Sequence, residues 1–154
     1  MMFHEIAPKT LTENVFSLIG DRWMLITAGT PDHCNTMTAS WGGLGVLWGA
    51  PAATIYLRPQ RYTKEFVDRE EYFTLAFFGE EQRKALTLCG SKSGRDVDKV
   101  RECGLTVRYG AGDAPFFDQA DWALVCRKLY AQDMDPACVL GEGEILPFYT
   151  PGQG

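Results

Sequence analysis

Apolar residues fall into short blocks separated by turn residues, and the blocks differ in period. Leu11, Val15, Leu18 and Ile19 recur at helical spacing behind Thr10-x-x-Glu13, a capping-box pattern, with Gly20 as terminator. A short amphipathic helix is predicted over 11–19. WMLITA (23–28) reads as a buried strand, and MTASW (37–41) as a returning strand. Between them GTPDHCN (29–35) is turn chemistry throughout, so the two strands form a hairpin. Gly42, Gly43 and Gly45 break the alternation. AATIYL (52–57) is a third strand with Pro51 at its start, and RPQRYT (58–63) is a loop, because Pro59 disfavours helix at Arg58.

Further along, Thr63 is expected to cap a short helix to about Arg69. YFTLAFF (72–78) is strongly β-prone, and 80–89 holds helix formers ending at Gly90. Asp96 is expected to cap a second helix carrying Val97, Val100 and Cys103, closed by Gly104. Residues 105–109 predict a short strand and 122–131 a longer one, with ragged alternation that suggests a bulge. Asp133 to Pro136 reads as a turn. The stretches 138–140 and 145–149 carry weak strand character, and TPGQG (150–154) carries no structural signal. Six or so short strands with helices inserted between them predict a mainly β, α+β chain. Its expected form is a closed antiparallel barrel with helical decoration, over a single domain 1–154. A doubly wound parallel fold is the alternative, weakened by the early hairpin and by the lack of GxGxxG after any strand.

Composition narrows the function. The chain has 154 residues, 45% of them apolar, with sixteen Gly and eight Pro, which fits a globular, turn-rich β protein. A net charge of −5 argues against nucleic acid or an acidic membrane as the main partner. Within this acidic chain two cationic segments stand out: Arg58, Arg61 and Lys64, then Lys92, Arg95, Lys99 and Arg101, the latter diluted by Asp96 and Asp98. They suggest a small anionic ligand. Five cysteines without CxxC, and only His4 and His33, assemble no zinc pattern; reduced thiols in a cytoplasmic protein are expected. The N-terminus lacks a signal-peptide pattern, and no apolar run reaches transmembrane length.

The general acid–base inventory is thin. There is no GxSxG elbow, and GSKSGR (90–95) is not a P-loop, so chemistry is expected to rest on a bound cofactor. In NTMTASWG, strand alternation puts Thr38 and Ser40 on one side. Their hydroxyls, with the Asn35 amide, suit the polar edge of a flat heterocycle that Trp41 could cover; equally, they could face water while Trp41 sits in the core. In RPQRYT the arginine forks match a phosphate, and Thr63 at a helix start would add a hydroxyl and free N–H groups; the alternative is a solvated loop. The Gly/Ser loop before Asp96 and Lys99 could contact an anion or simply connect two helices.

Together NTMTASWGG, WGAPAATIYLRPQRYT and CGSKSGRDVDK resemble flavin reductase-like proteins of the FMN-binding split-barrel superfamily, in particular the flavoredoxin-like group. The resemblance runs from about Glu13 to Gly141. It implies a six-stranded Greek-key split barrel working as a homodimer, with FMN near the subunit interface. Asn35, Met37, Thr38, Ser40 and Trp41 would line the isoalloxazine and ribityl part. Arg58, Arg61 and Thr63 would hold the phosphate region, with Ser93, Gly94 and Lys99 adding contacts. Members of the family usually continue beyond the counterpart of PFYTPGQG with a segment that often carries a His and a final strand. The resemblance implies hydride or electron transfer between NAD(P)H and flavin, with no side-chain catalytic residue. The rivals are an FMN-binding electron carrier fed by a protein donor, a sensor, a pyridoxamine-phosphate-oxidase-like enzyme, whose pattern lacks these motifs, and a structural domain without cofactor.

Overall fold

The computed structural model describes residues 2–149. Its centre is an antiparallel sheet of four strands in the order β2-β1-β5-β8. Strand β1 (Met24–Gly29) is buried at every position, as the continuous apolar run requires of a strand covered on both faces. It pairs with β2 (Cys34–Ala39) from Met24↔Ala39 to Gly29↔Cys34. The turn between them is tight: Thr30 and His33 exchange backbone hydrogen bonds of 2.9 and 3.1 Å. Gly29, at φ 137°, is required there, because a Cβ would lie 2.4 Å from the His33 carbonyl. The hairpin forms as predicted, with its second strand starting three residues early. Strand β5 (Tyr72–Phe77) pairs with β1 on one side and with β8 (Trp122–Arg127) on the other. The β5–β8 ladder is regular from Tyr72↔Arg127 to Phe77↔Trp122, so the expected bulge is not formed.

Each face of this sheet has its own core. On one face Met24, Ile26, Met37, Leu75 and Phe77 pack with Phe66 and Val67. The last two come from α2 (Tyr62–Arg69), whose polar face carries a Lys64–Asp68 ion pair at 2.6 Å. Burying such side chains stabilises by about 1.5–3 kcal/mol each. On the other face Leu25 and Ala76 meet Leu86 and Cys89 of α3 (Arg83–Ser91). Thr36, Thr27 and Thr74 stand directly opposite one another across β2, β1 and β5. The Thr27 and Thr36 hydroxyls bond each other at 2.8 Å, which satisfies polar groups with no access to water.

Several local expectations are corrected. The Thr10 capping box is replaced by Asn14, whose Oδ1 accepts from the Phe16 and Ser17 N–H groups at 3.0 and 3.3 Å. It caps α1 (Val15–Ser17), which widens into a π-type turn over Leu18–Arg22 and stops at Trp23, φ 69°. The glycines at 42, 43 and 45 do not end a strand. They lie in β3 (Gly42–Leu47), which pairs with β4 (Ala50–Ile55) across a two-residue Trp48–Gly49 turn with φ positive at both positions. Pro51 therefore sits inside β4, opposite Val46. Arg61, not Thr63, is the N-cap of α2, and Asp98, not Asp96, caps α4 (Lys99–Glu102) by accepting from Arg101 N–H at 3.1 Å. Strand β6 (Val107–Tyr109) pairs with an unpredicted β7 (Pro115–Phe117). The stretches 138–140 and 145–149 are not strands; a 3-10 turn (Pro136–Cys138), α5 (Glu142–Ile145) and a second 3-10 turn (Leu146–Tyr149) stand there. TPGQG lies outside the described residues.

The expected closed barrel is not formed among the described residues. They make three separate antiparallel sheets, the four-stranded one, β3–β4 and β6–β7. The β3–β4 hairpin packs Leu44, Ala53 and Ile55 onto the core beneath α2 without joining the larger sheet by hydrogen bonds. Among the described residues no helix is long and apolar enough to cross a membrane.

Candidate functional site

Strand β2 is an outer strand of the main sheet, and all three sequence segments meet along it. Arg58 and Arg61 of the 58–61 loop border a cleft of about 130 Å³. Met37, Thr38, Ser40 and Trp41 line it from β2 and its exit, with Tyr56, Arg58 and Arg61 opposite. Six sequence-predicted residues thus share one cavity. The Thr38 hydroxyl donates to the Leu86 carbonyl of α3. The Arg58 guanidinium lies 5.5 Å from the centre of the Trp41 ring system, a cation–π arrangement. Phe148 meets Trp41 edge-on at 5.5 Å, so the second 3-10 turn borders the ring end of the cleft.

The cationic part is organised by the C-terminal turn of α3. Arg61 donates through Nη1 to the Gly90 carbonyl at 3.1 Å and through Nη2 to the Cys89 carbonyl at 3.5 Å. Lys99, only 4% exposed, donates through Nζ to the same Cys89 carbonyl at 2.9 Å and to the Thr36 carbonyl at 2.8 Å. The negative end of a helix suits cations, yet carries only about half an elementary charge. Among the described residues neither Arg61 nor Lys99 has a carboxylate within salt-bridge distance. Burial, and then the Arg61 charge, push the Lys99 ammonium down to about 8. Burial and Arg58 lower Arg61 in the same way. Among the described residues, Arg61 and Lys99 are met by backbone carbonyls alone.

Behind the cleft, Asn35 Nδ2 donates to Thr63 Oγ1 at 2.9 Å, with both residues buried. Gly94 lies against this pair; a Cβ there would sit 2.0 Å from Asn35 Oδ1. Asn35, Thr63 and Gly94 therefore form a knot joining β2, α2 and the Gly/Ser loop. The Thr63 hydroxyl is engaged by Asn35 rather than standing open at a helix end. Ser93 Oγ accepts from the Arg95 N–H at 3.1 Å in a surface turn. Arg95 reaches back over the Tyr62 ring at 4.5 Å and pairs with Glu65 at 3.4 Å.

Sequence reasoning missed Tyr56, although it stands two residues before Arg58, where strand period would have put both on one side. It also missed the Cys89 and Gly90 carbonyls, which no side-chain motif reveals, and Phe148, read as weak strand.

Taken together, the fold and cleft define an antiparallel α+β protein with an arginine-lined, aromatic-bordered groove on a sheet edge. The description "flavin reductase like domain" applies to a family model that matches residues 16–153, and the chain belongs to that family. No curated protein matches it in sequence. Among solved structures, flavoredoxin of Desulfovibrio vulgaris is 21% identical with a TM-score of 0.67, over 92% of this chain and 81% of that one. An FMN-binding domain of a flavin reductases-like enzyme from Shewanella baltica is 22% identical, TM-score 0.64; 85% of this chain covers 66% of it. A Streptomyces globisporus NADH:FAD oxidoreductase is 20% identical, TM-score 0.58, over 72% of this chain and 65% of that one. At these identities the likeness is one of fold.

Proposed function

We propose that the protein binds FMN along the outer side of β2 and passes hydride or electrons between NAD(P)H and the flavin. One observation carries the reading: the buried Lys99 and the half-buried Arg61 converge on a single carbonyl beside an open cleft. A phosphomonoester supplies the missing negative charge and matches the planar donor fork of Arg61. The other lining groups fit the rest of the cofactor in kind: hydroxyls at Thr38 and Ser40 for polar edges, Trp41 for a flat surface, and Arg58 for charge. Bound flavin supplies the hydride-accepting atom, so no side-chain nucleophile is needed.

In this scheme the chain binds, orients and polarises. Asn35, Thr63 and Gly94 hold the loops at a fixed spacing. Arg58, beside Trp41, favours negative charge developing on a ring seated there. Ser93 and Lys99 complete the phosphate end. The NADH:FAD oxidoreductase activity of the similar Streptomyces globisporus protein supports nicotinamide as the electron source. Free thiols at all five cysteines support a cytoplasmic setting. Exposed Val46, Leu47 and Trp48 at the β3–β4 tip support pairing with a second copy of the chain. On the same reading, the main sheet and the β3–β4 hairpin packed on it are two walls of a split barrel.

Purified protein is expected to be yellow, or to take up added FMN, and to bleach with NADH or NADPH without oxygen. Colourless protein that cannot take up FMN overturns the proposal. Yellow protein bleached only by a protein donor replaces the reductase with a carrier.

A further inference from the structure

Two thiols lie in contact at the base of this site. Cys89 Sγ and Cys103 Sγ are 3.8 Å apart, and neither is in a disulfide. Cys89 is fully buried in the last turn of α3, whereas Cys103, the C-cap of α4, is partly exposed. The segment between them, 90–102, contains Ser93, Gly94 and Lys99. Cys89 also carries the carbonyl that Arg61 and Lys99 share. We propose that Cys89 and Cys103 form a reversible disulfide that closes the 90–102 segment into a covalent loop and so makes cation placement at the site depend on thiol redox state. The cross-link itself is independent of the flavin reading; its effect on cofactor retention rests on that reading.

The geometry is permissive. A disulfide needs its sulfurs about 2.05 Å apart, so the 3.8 Å gap has to close by side-chain rotation and an approach of α4 to α3. The oxidant is a low-molecular-weight disulfide. The Cys103 thiolate, being the accessible one, attacks a sulfur of the reagent, and one reagent thiolate leaves. Cys89 then gives its proton to the reagent thiolate just released and attacks the Cys103 sulfur of the mixed disulfide, expelling the second reagent thiolate. Two protein thiols are oxidised to one disulfide, and the reagent is reduced to two thiols. Burial, and then Cys103, push the Cys89 thiol up to about 12, while Lys99 and Arg61 act the other way. That order makes Cys103 the entry point and Cys89 the resolving thiol. Among the described residues Cys34, Cys126 and Cys138 have no sulfur in contact and are expected to stay free of cross-links.

The full chain is incubated natively with oxidised glutathione, or with the smaller hydroxyethyl disulfide; free thiols are then alkylated and the peptides mapped. The expected result is a Cys89–Cys103 cross-linked peptide, reversed by dithiothreitol and lost in Cys103→Ser. Cross-links through other cysteines, a mixed disulfide that never resolves, or no reaction would overturn the pair. Tryptic cutting at exposed Lys92 and Arg95 gives a readout that needs no cofactor: several-fold slower in the oxidised chain, unchanged by oxidant in Cys103→Ser. Equal cutting rates overturn the loop-closure claim. FMN release from the oxidised protein is expected to be several-fold slower, because a stapled loop is pre-organised. Equal release rates overturn the redox dependence. Failure of both redox forms to bind FMN would instead remove the flavin reading, leaving the cross-link and cutting results standing.

Discussion

Arg61 and Lys99 reach the same oxygen, the carbonyl of Cys89, from two different elements. One cation arrives from the N-cap of α2 and the other from the first residue of α4. Their remaining hydrogen bonds go to the Gly90 and Thr36 carbonyls, so backbone oxygens alone meet the pair, and on the proposed reading a phosphate supplies the negative charge.

Arg61→Ala is expected to weaken FMN binding roughly tenfold to a hundredfold, the equivalent of about 1.5–3 kcal/mol for a charge-assisted contact. Cys126→Ser, half-buried in β8 away from the cleft, should leave affinity nearly unchanged. Quenching of FMN fluorescence on titration measures both; equal affinities would misplace the phosphate.

The Lys99 environment gives a pH signature. Its folded value, about 8, lies below the ordinary 10.5, so between these values the unfolded chain binds more protons there and stability rises with pH. Cys89 and Cys126 work oppositely: burial raises them from 9.0 to about 12 and about 11, so above pH 9 the folded chain keeps protons that the unfolded one has shed. The apo protein's melting temperature should therefore climb from pH 8 to 9 and then turn over, and Lys99→Met should remove the climb. FMN affinity should run the other way, falling as pH passes 8, because the phosphate needs the charged ammonium. Differential scanning fluorimetry and fluorescence titration at matched ionic strength check the two trends.

Gly94→Ala should lower stability by about 1–3 kcal/mol, because the new methyl drives Asn35 off Thr63 and leaves buried polar groups unpaired. Gly20→Ala meets nothing within 4 Å and should be neutral or slightly stabilising. Thermal melts of the two variants side by side decide it.

Trp48 is 66% exposed at the tip of the β3–β4 hairpin, next to exposed Leu47 and Val46. Trp48→Asp should shift sedimentation from dimer toward monomer without changing the circular dichroism spectrum. A wild-type chain that already sediments as a monomer would remove the proposed self-association.

What could be read from the sequence follows the range of the interactions involved. Strands β1, β2 and β5 and helices α2 and α3 were legible because apolar blocks and end signals mark them locally. β3 was not: its glycines look like breakers until β4 supplies the pairing, and the Trp48–Gly49 turn hides its signal behind a tryptophan. β7 was invisible at three residues. In the site, residue types and their three segments were legible, but the roles shifted with long-range contacts. Thr63 reads as an open helix start, and only folding brings the Asn35 amide to it. The Cys89 carbonyl belongs to the backbone, which carries no sequence mark.

The Lys99 bond to the Thr36 carbonyl has a bearing on solubility. β2 ends the main sheet, and an outer strand presents unpaired backbone groups to any other strand that meets it. The ammonium covers one of those acceptors, and the neighbouring loops crowd the same margin. The cation that completes the proposed phosphate seat is thus also a guard against strand-to-strand aggregation. A chain that loses Lys99 should lose colour and clarity together, turning turbid under conditions where an Arg61 variant merely turns pale.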